Sequence, residues 1–285
     1  SALVFFFVFI AMLYFASGRK FYLVISLLLA SIAAVALYFL FSHVQVRVQT
    51  WLDPFADAQN TGYQLVQTLY SLADGGLFGT GIGEGLSTLI PVVESDFIFA
   101  CIGEETGLLG AAALLLLYLS FAIRGFATAA RAKSDVSSFV AAGLTTIIVL
   151  QAFIIVGGVT KLIPLTGLTL PLVSKGGSSL LMAFICIALL MRCGDEGTSL
   201  DEEITSATTI ISPNNALGRF QLGKRLTSGM CVFAVMFALL VGNLTSIMVV
   251  KADDYKAMPA NNHTILNNAK IQRGSISTSD GMILA

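Results

Sequence analysis

Six apolar stretches, at 2–17, 21–41, 96–123, 138–160, 178–192 and 228–250, dominate the pattern of the chain. Crossing a bilayer takes about 20 mainly apolar residues in a helix, the one open form that satisfies its own backbone in lipid. The first and fifth stretches fall short of that length. The first reads as a span cut inside or just before its start, and the fifth borrows from the apolar Leu168–Val173 before it. The chain opens with no Met and no basic residue ahead of the apolar run, which is not the form of a signal peptide. The expected fold is an all-α polytopic membrane protein of about six transmembrane helices. Composition agrees, since only 12% of the 285 residues are charged and the mean hydropathy is +0.84. A soluble domain carries about 25% charged residues, so a water-soluble globule is excluded, as is a disordered chain. The net charge of −1 offers no basic footprint for nucleic acid.

Lys and Arg set the orientation. Arg19 and Lys20 join the first two stretches, Arg124, Arg131 and Lys133 follow the third, and Arg192, Arg219, Lys224 and Arg225 lie between the fifth and sixth. In an alternating topology these connections share one side, taken as cytoplasmic. The other side holds the long connection 42–95, with Arg47 as its only basic residue, the loop 161–177 with Lys161 and Lys175, and the tail 251–285. Residues 193–227 are polar and acidic and read as a cytoplasmic linker between two modules. The cysteines at 101, 186, 193 and 231 lie in or beside apolar runs with no C-x-x-C pair, so they read as small core residues.

Connection 42–95 is too long for an idle link. Trp51-Leu52-Asp53-Pro54-Phe55 has the mixed character of an interfacial segment. Between 63 and 73, Leu65, Val66, Leu69, Leu72 and Ala73 recur at helical spacing, which predicts a helix lying on or dipping into the membrane. Gly75 to Gly85 is rich in glycine. It is no dinucleotide fingerprint, because the spacing is wrong and no strand precedes it. Gly218 to Arg225 nearly spells a P-loop, but Arg225 stands where the magnesium-binding hydroxyl belongs. The glycines read instead as sharp turns at the membrane surface.

Two stretches carry chemistry. In Glu94-Ser95-Asp96-Phe97-Ile98-Phe99-Ala100-Cys101-Ile102-Gly103-Glu104-Glu105-Thr106-Gly107, Asp96 stands at the outer mouth of a span and Glu104 and Glu105 lie within it. Acids at membrane depth are costly and face protein, water or substrate. At about 100° per residue Asp96, Ala100, Gly103 and Gly107 share a face suited to close packing, while Glu104 and Glu105 point elsewhere and cannot share one environment. Asp96 reads equally as a functional carboxylate or as an N-terminal cap; Glu104 reads as a helix-to-helix contact or as a substrate contact. In the loop 161–177, a Gly176-Gly177-Ser178-Ser179 helix start offers amides and hydroxyls to an anion, with Lys175 beside them. A plain re-entrant turn would look the same.

At these residues the chain resembles the SEDS family (shape, elongation, division and sporulation), that is, FtsW, RodA and SpoVE. Four blocks match in order between about 40 and 192: Arg47 with Trp51-Leu52-Asp53-Pro54 and Gly62-Tyr63-Gln64; Gly75-Gly76-Leu77-Phe78-Gly79-Thr80-Gly81; Asp96-Phe97-Ile98-Phe99 with Gly103-Glu104-Glu105; and Pro164 to Ser179. The family has ten spans, so residues 1–192 resemble its C-terminal half. The resemblance implies a peptidoglycan glycosyltransferase of the bacterial plasma membrane, polymerising lipid II at the outer face. Asp96 then matches the family's essential aspartate, proposed to deprotonate the acceptor hydroxyl, and Arg47 a basic position suited to phosphate. A divalent cation is compatible with that work, although no ligand cluster requires one. Two departures stand out: Lys175 replaces a usual Tyr, and Glu94-Ser95 replaces a usual His-Thr. Lys161 also stands where a small residue is common.

The stretch 228–250 and the tail 251–285, with Gln272-Arg273-Gly274-Ser275-Ile276 and Ser279 to Ala285, resemble the membrane anchor and first outer residues of class B penicillin-binding proteins. This implies a fusion to the transpeptidase partner, although no S-x-x-K or K-T-G occurs here. Two other readings stay open on the residues alone. One is a transporter of lipid-linked precursor with Asp96, Glu104 and Glu105 along its path; the other is a non-catalytic scaffold for the penicillin-binding partner. The outer-rim position of Asp96 favours the enzyme, because a path calls for acids near mid-membrane.

Overall fold

The computed structural model describes the backbone of residues 2–132, 134–206, 213–258 and 261–270, with side chains at 3–132, 134–195, 222–258 and 261–266. Lys133, the side chains of Arg219, Glu196, Asp201, Glu202 and Glu203, and the motifs from Gln272 onward lie outside it. The described elements are all helical. They are α1 (Ala2–Ser17), α2 (Lys20–Leu40), α3 (Ser42–Leu52), α4 (Tyr63–Gly75), α5 (Ile98–Arg131), α6 (Asp135–Val159), α7 (Gly177–Ser206), α8 (Pro213–Thr245), α9 (Ala252–Lys256) and α10 (Asn262–Lys270). A π-turn, Ser246–Val250, continues α8.

Five helices are long and apolar enough to cross a membrane: Lys20–Leu40, Ile98–Arg131, Asp135–Val159, Gly177–Asp195 and Leu222–Val250. The sixth expected span is α1, a shorter apolar helix of 16 residues. The polar stretch 193–227 is drawn largely into the ends of α7 and α8. Gly218 to Arg225 is therefore helical, which removes any P-loop reading. Arg225 instead donates through Nη1 to the carbonyls of Phe15 and Ala16, closing the C-terminus of α1 where helix carbonyls lack partners.

The core lies between α5, α6 and α8. Ala111, Leu115, Ala122 and Phe126 of α5 face Ala141, Ala142, Val149 and Ala152 of α6, all buried. Small side chains let these helices approach closely, as lipid-embedded helices must to gain packing energy. Phe237, Leu240 and Leu244 of α8 belong to the same core, and Asn243 Nδ2 of α8 donates to the carbonyl of Thr160 at the end of α6. Ser134 caps α6 by accepting from the Ser137 N–H at 3.1 Å, with Asp135 in the first turn. The second span, α2, buries none of its residues.

Two expectations change. The helix predicted at 63–73 forms as α4, but it is enclosed rather than open on one side: every residue from Leu65 to Ala73 is buried in protein. The stretch 96–123 is not one continuous span either. It starts at Ile98, after Asp96, and breaks at Gly107, where φ is +70° and ψ −170°. The break frees backbone groups in mid-helix, and the glycine-rich chain takes them up. The carbonyls of Glu104 and Glu105 accept from the N–H groups of Thr80 and Gly81, and the Leu108 and Leu109 N–H groups donate to Gly76 and Leu77. Irregular backbone at membrane depth is tolerated only with such internal partners. The expected small-residue face is thus split, with Gly103 against Leu72 of α4 and Gly107 against the chain at 77–79.

Candidate functional site

The outer ends of α3 and α5 and the loop 161–177 meet at one place. Arg47 of α3 donates through Nη1 to the carbonyls of Leu165, at 3.3 Å, and Thr166, at 3.5 Å. Trp51, one turn on, donates from Nε1 to the Lys161 carbonyl at 3.0 Å. The interfacial Trp of the sequence motif is therefore a brace for the loop. Gln151 of α6 holds the Thr169 carbonyl, and Thr169 in turn donates to Ser179 Oγ at 2.8 Å.

Asp96 faces the same loop from the other side. A Cβ placed on Gly167 would stand 3.5 Å from Asp96 Oδ2. Asp96 does not cap α5: the N-cap residue is Phe97, and no side chain bonds there. Its carboxylate accepts one bond, from Ser95 Oγ at 2.9 Å on Oδ1, and is half-buried. Asp96 and Arg47 thus flank one short segment, 165–167. Arg47, Leu165 and Thr166, but not Asp96, are among the residues lining an apolar cleft of about 1050 Å3, together with Phe7, Tyr14, Leu150, Phe153, Met236 and Lys20.

The other expected residues are placed less uniformly. Ser178 and Ser179 do stand in the first turn of α7, as the Gly-Gly-Ser-Ser reading expects. Lys175 is ion-paired with Glu94 across exposed surface, and its own N–H donates to the Glu94 carbonyl at 2.9 Å. The Glu94 carboxylate holds the Lys175 ammonium proton above its ordinary pKa, by hydrogen bond and by charge. Glu104 is separate from this group. It is 1% exposed and accepts from the Leu86 N–H, inside the first half of α5 rather than at its outer end. Glu105 is only half-buried, so the two acids do occupy different environments. Among the described residues, no group of three or more His, Cys, Asp or Glu is arranged to hold a metal ion.

Among the described residues, three non-glycine residues have positive φ: Val92 at 59°, Lys161 at 58° and Leu172 at 67°. All three bound the segments that carry Asp96 and the loop, where such strain characteristically gathers. Lys161→Gly is expected to stabilise the fold by about 1 kcal/mol, since only the side chain makes this conformation costly. A rise in thermal midpoint in detergent would show it, and a fall would refute the strain.

Residues 1–198 match the family model described as cell cycle protein, which covers FtsW, RodA and SpoVE. The chain belongs to the FtsW/RodA/SpoVE family. The peptidoglycan glycosyltransferase RodA of Mycobacterium tuberculosis is 50% identical over 184 residues, which cover 65% of this chain and 39% of that protein. The probable peptidoglycan glycosyltransferase FtsW of Legionella pneumophila is 42% identical over 188 residues, covering 64% of this chain and 48% of the relative. Stage V sporulation protein E of Bacillus subtilis is 40% identical over 148 residues, covering 51% and 40%. The chain thus spans about two fifths to one half of the length of these relatives. Among solved structures, one reported as "Structural coordination of polymerization and crosslinking by a peptidoglycan synthase complex" superposes with a TM-score of 0.55 at 28% identity, covering 68% of this chain and 55% of that one. As a family member with five spanning helices and bacterial relatives, this is a multi-pass protein of a bacterial membrane. Glu94 and Lys175, two of the residues at which the sequence departs from the pattern it resembles, bind each other.

Sequence reasoning missed three polar residues, Gln67 and His263, which are buried, and Asp74, which is mostly covered. Gln67 and Asp74 sit at helical spacing on α4. His263 follows Asn261, whose Oδ1 accepts from the N–H groups of His263 and Thr264 as a helix start.

Proposed function

We propose that the chain is part of a peptidoglycan glycosyltransferase that polymerises lipid II at the outer membrane face. Asp96 removes the proton of the acceptor sugar hydroxyl. The oxygen attacks the anomeric carbon of the donor, and the bond to undecaprenyl pyrophosphate breaks, the leaving group taking both bonding electrons. One observation carries this reading: a carboxylate and a guanidinium both approach residues 165–167, and Arg47, Leu165 and Thr166 also line an apolar cleft. That pairs a base with a cation for phosphate, beside space for a lipid chain. Ser178 and Ser179 add amides and hydroxyls at the start of α7, while Lys175 is a secondary candidate; Glu104, buried away from this group, is not. The α8 anchor and the segment after it belong, in this proposal, to a fused class B penicillin-binding protein. Packing of α8 into the core supports a permanent attachment.

The test is polymer formation from purified lipid II by the natural-length protein in proteoliposomes. Polymer that depends on Asp96 supports the reading; lipid II translocation without polymer overturns it in favour of a transporter. In that assay Arg47→Ala is expected to raise KM about tenfold, the worth of one charge-assisted hydrogen bond. An unchanged KM removes Arg47 from the phosphate site.

A further inference from the structure

The polar face of α4 does not meet water. Gln67, Ser71 and Asp74, spaced along one side of the helix, are covered by protein, the first two at 2% and 0% exposure. The segment after the last membrane helix reaches this helix at Tyr70 and Asp74. His263, 0% exposed, sets its ring edge-on to Tyr70 and brings Nδ1 to 3.5 Å from Asp74 Oδ2 and 3.6 Å from Glu104 Oε1. Gln67 Oε1, Ser71 Oγ, Asp74 Oδ2, Glu104 Oε2 and both His263 nitrogens are buried without a hydrogen-bond partner. Burial pushes the Asp74 carboxyl above its ordinary pKa; His263 and Lys256 pull it back, and Glu104 adds to the push.

Glu104 ties this cluster to the rest of the site. Its side chain accepts from Leu86, its carbonyl accepts from Thr80, and it ends the first half of α5, residues 98–106, whose other end follows Asp96. Two carboxylates enclosed together need a donor between them, and the imidazole is the group placed there. The segment is built to deliver it: Asn261 starts α10, Asn261 Nδ2 holds the Tyr255 carbonyl and Thr264 holds that of Lys256.

We propose that His263 is a key that seats residues 252–266 on the outer loop by bridging Asp74 and Glu104, and that this seat fixes the half-helix 98–106 and so positions Asp96. His263 is then a positioning residue, and the segment beyond the anchor governs whether the Asp96 end is set for reaction. The activity part of this inference rests on the glycosyltransferase reading; the seating part does not.

Hydrogen exchange on the natural-length protein in nanodiscs tests it, alongside lipid II polymerisation. His263→Ala is expected to speed exchange about tenfold in both 252–266 and 98–106, with 135–159 unchanged. It is also expected to lower kcat about tenfold at constant KM. Added imidazole, filling the vacated space, should restore both. Faster exchange confined to 252–266, or no rescue by imidazole, overturns the proposal. Should His263→Ala loosen 135–159 as well, Asp74→Asn decides: faster exchange at 98–106 supports the seat, and wild-type exchange there overturns it. Exchange is read without any activity, so a wild-type protein that makes no polymer sinks the catalytic reading alone.

Discussion

Asp96→Asn is expected to cut lipid II polymerisation about a hundredfold or more, in kcat and with KM little changed. The carboxylate has one hydrogen-bond donor, Ser95 Oγ, and no cap to lose, because α5 begins on Phe97 without it. Asn keeps the shape and can still accept from Ser95, so folding should be untouched. What disappears is the capacity to take a proton. A general base contributes about a hundred- to ten-thousandfold, which sets the expected loss. An equal loss in thermal stability would turn the result into a folding effect and leave the base unidentified. Full polymerisation by the Asn variant would sink the assignment outright. Glu94 and Ser95, next to Asp96, are laced to the loop by Lys175 and Ser174, so the carboxylate is held against that loop from both sides.

The membrane spans were legible because hydrophobic length is a local property, and α2, α6 and the apolar part of α8 fall close to where the apolar runs place them. Meeting points are not local. Glu94 and Lys175 read as two unrelated departures in the sequence, and only folding, which brings residues 81 positions apart together, makes them one ion pair. The amphipathic pattern of α4 located the helix correctly. Its polar side implied water, yet Gln67 and Ser71 are buried and Asp74 meets His263, nearly two hundred residues away. Asp96 sits in an apolar run that hides the turn before Ile98. The positive φ of Val92, which makes that turn, leaves no trace in residue type, since a β-branched residue is the last one expected there.

Gly107 is where that same limit has the largest consequence, and Gly107→Ala is expected to cost at least about 4 kcal/mol and prevent folded protein from accumulating. A Cβ there would lie 2.3 Å from the Gly79 N atom, 2.5 Å from the Leu77 carbonyl oxygen and 2.6 Å from the Phe78 carbonyl carbon. All three are backbone atoms, so no side chain can swing aside. The conformation itself, φ +70° with ψ −170°, is essentially closed to any residue with a Cβ. Relief by straightening α5 would break the four hydrogen bonds that splice the glycine-rich chain into the helix, leaving buried backbone groups unpaired at about 1–3 kcal/mol each. Gly79 is matched to the same contact, since a Cβ on it would stand 2.1 Å from the Glu105 carbonyl oxygen, so the two glycines must approach together. Size-exclusion profiles of the detergent-extracted protein would read the outcome. A monodisperse Ala variant with wild-type thermal midpoint would mean that the helix does not break there, and with that the orientation of the half-helix carrying Asp96 would have to be redrawn.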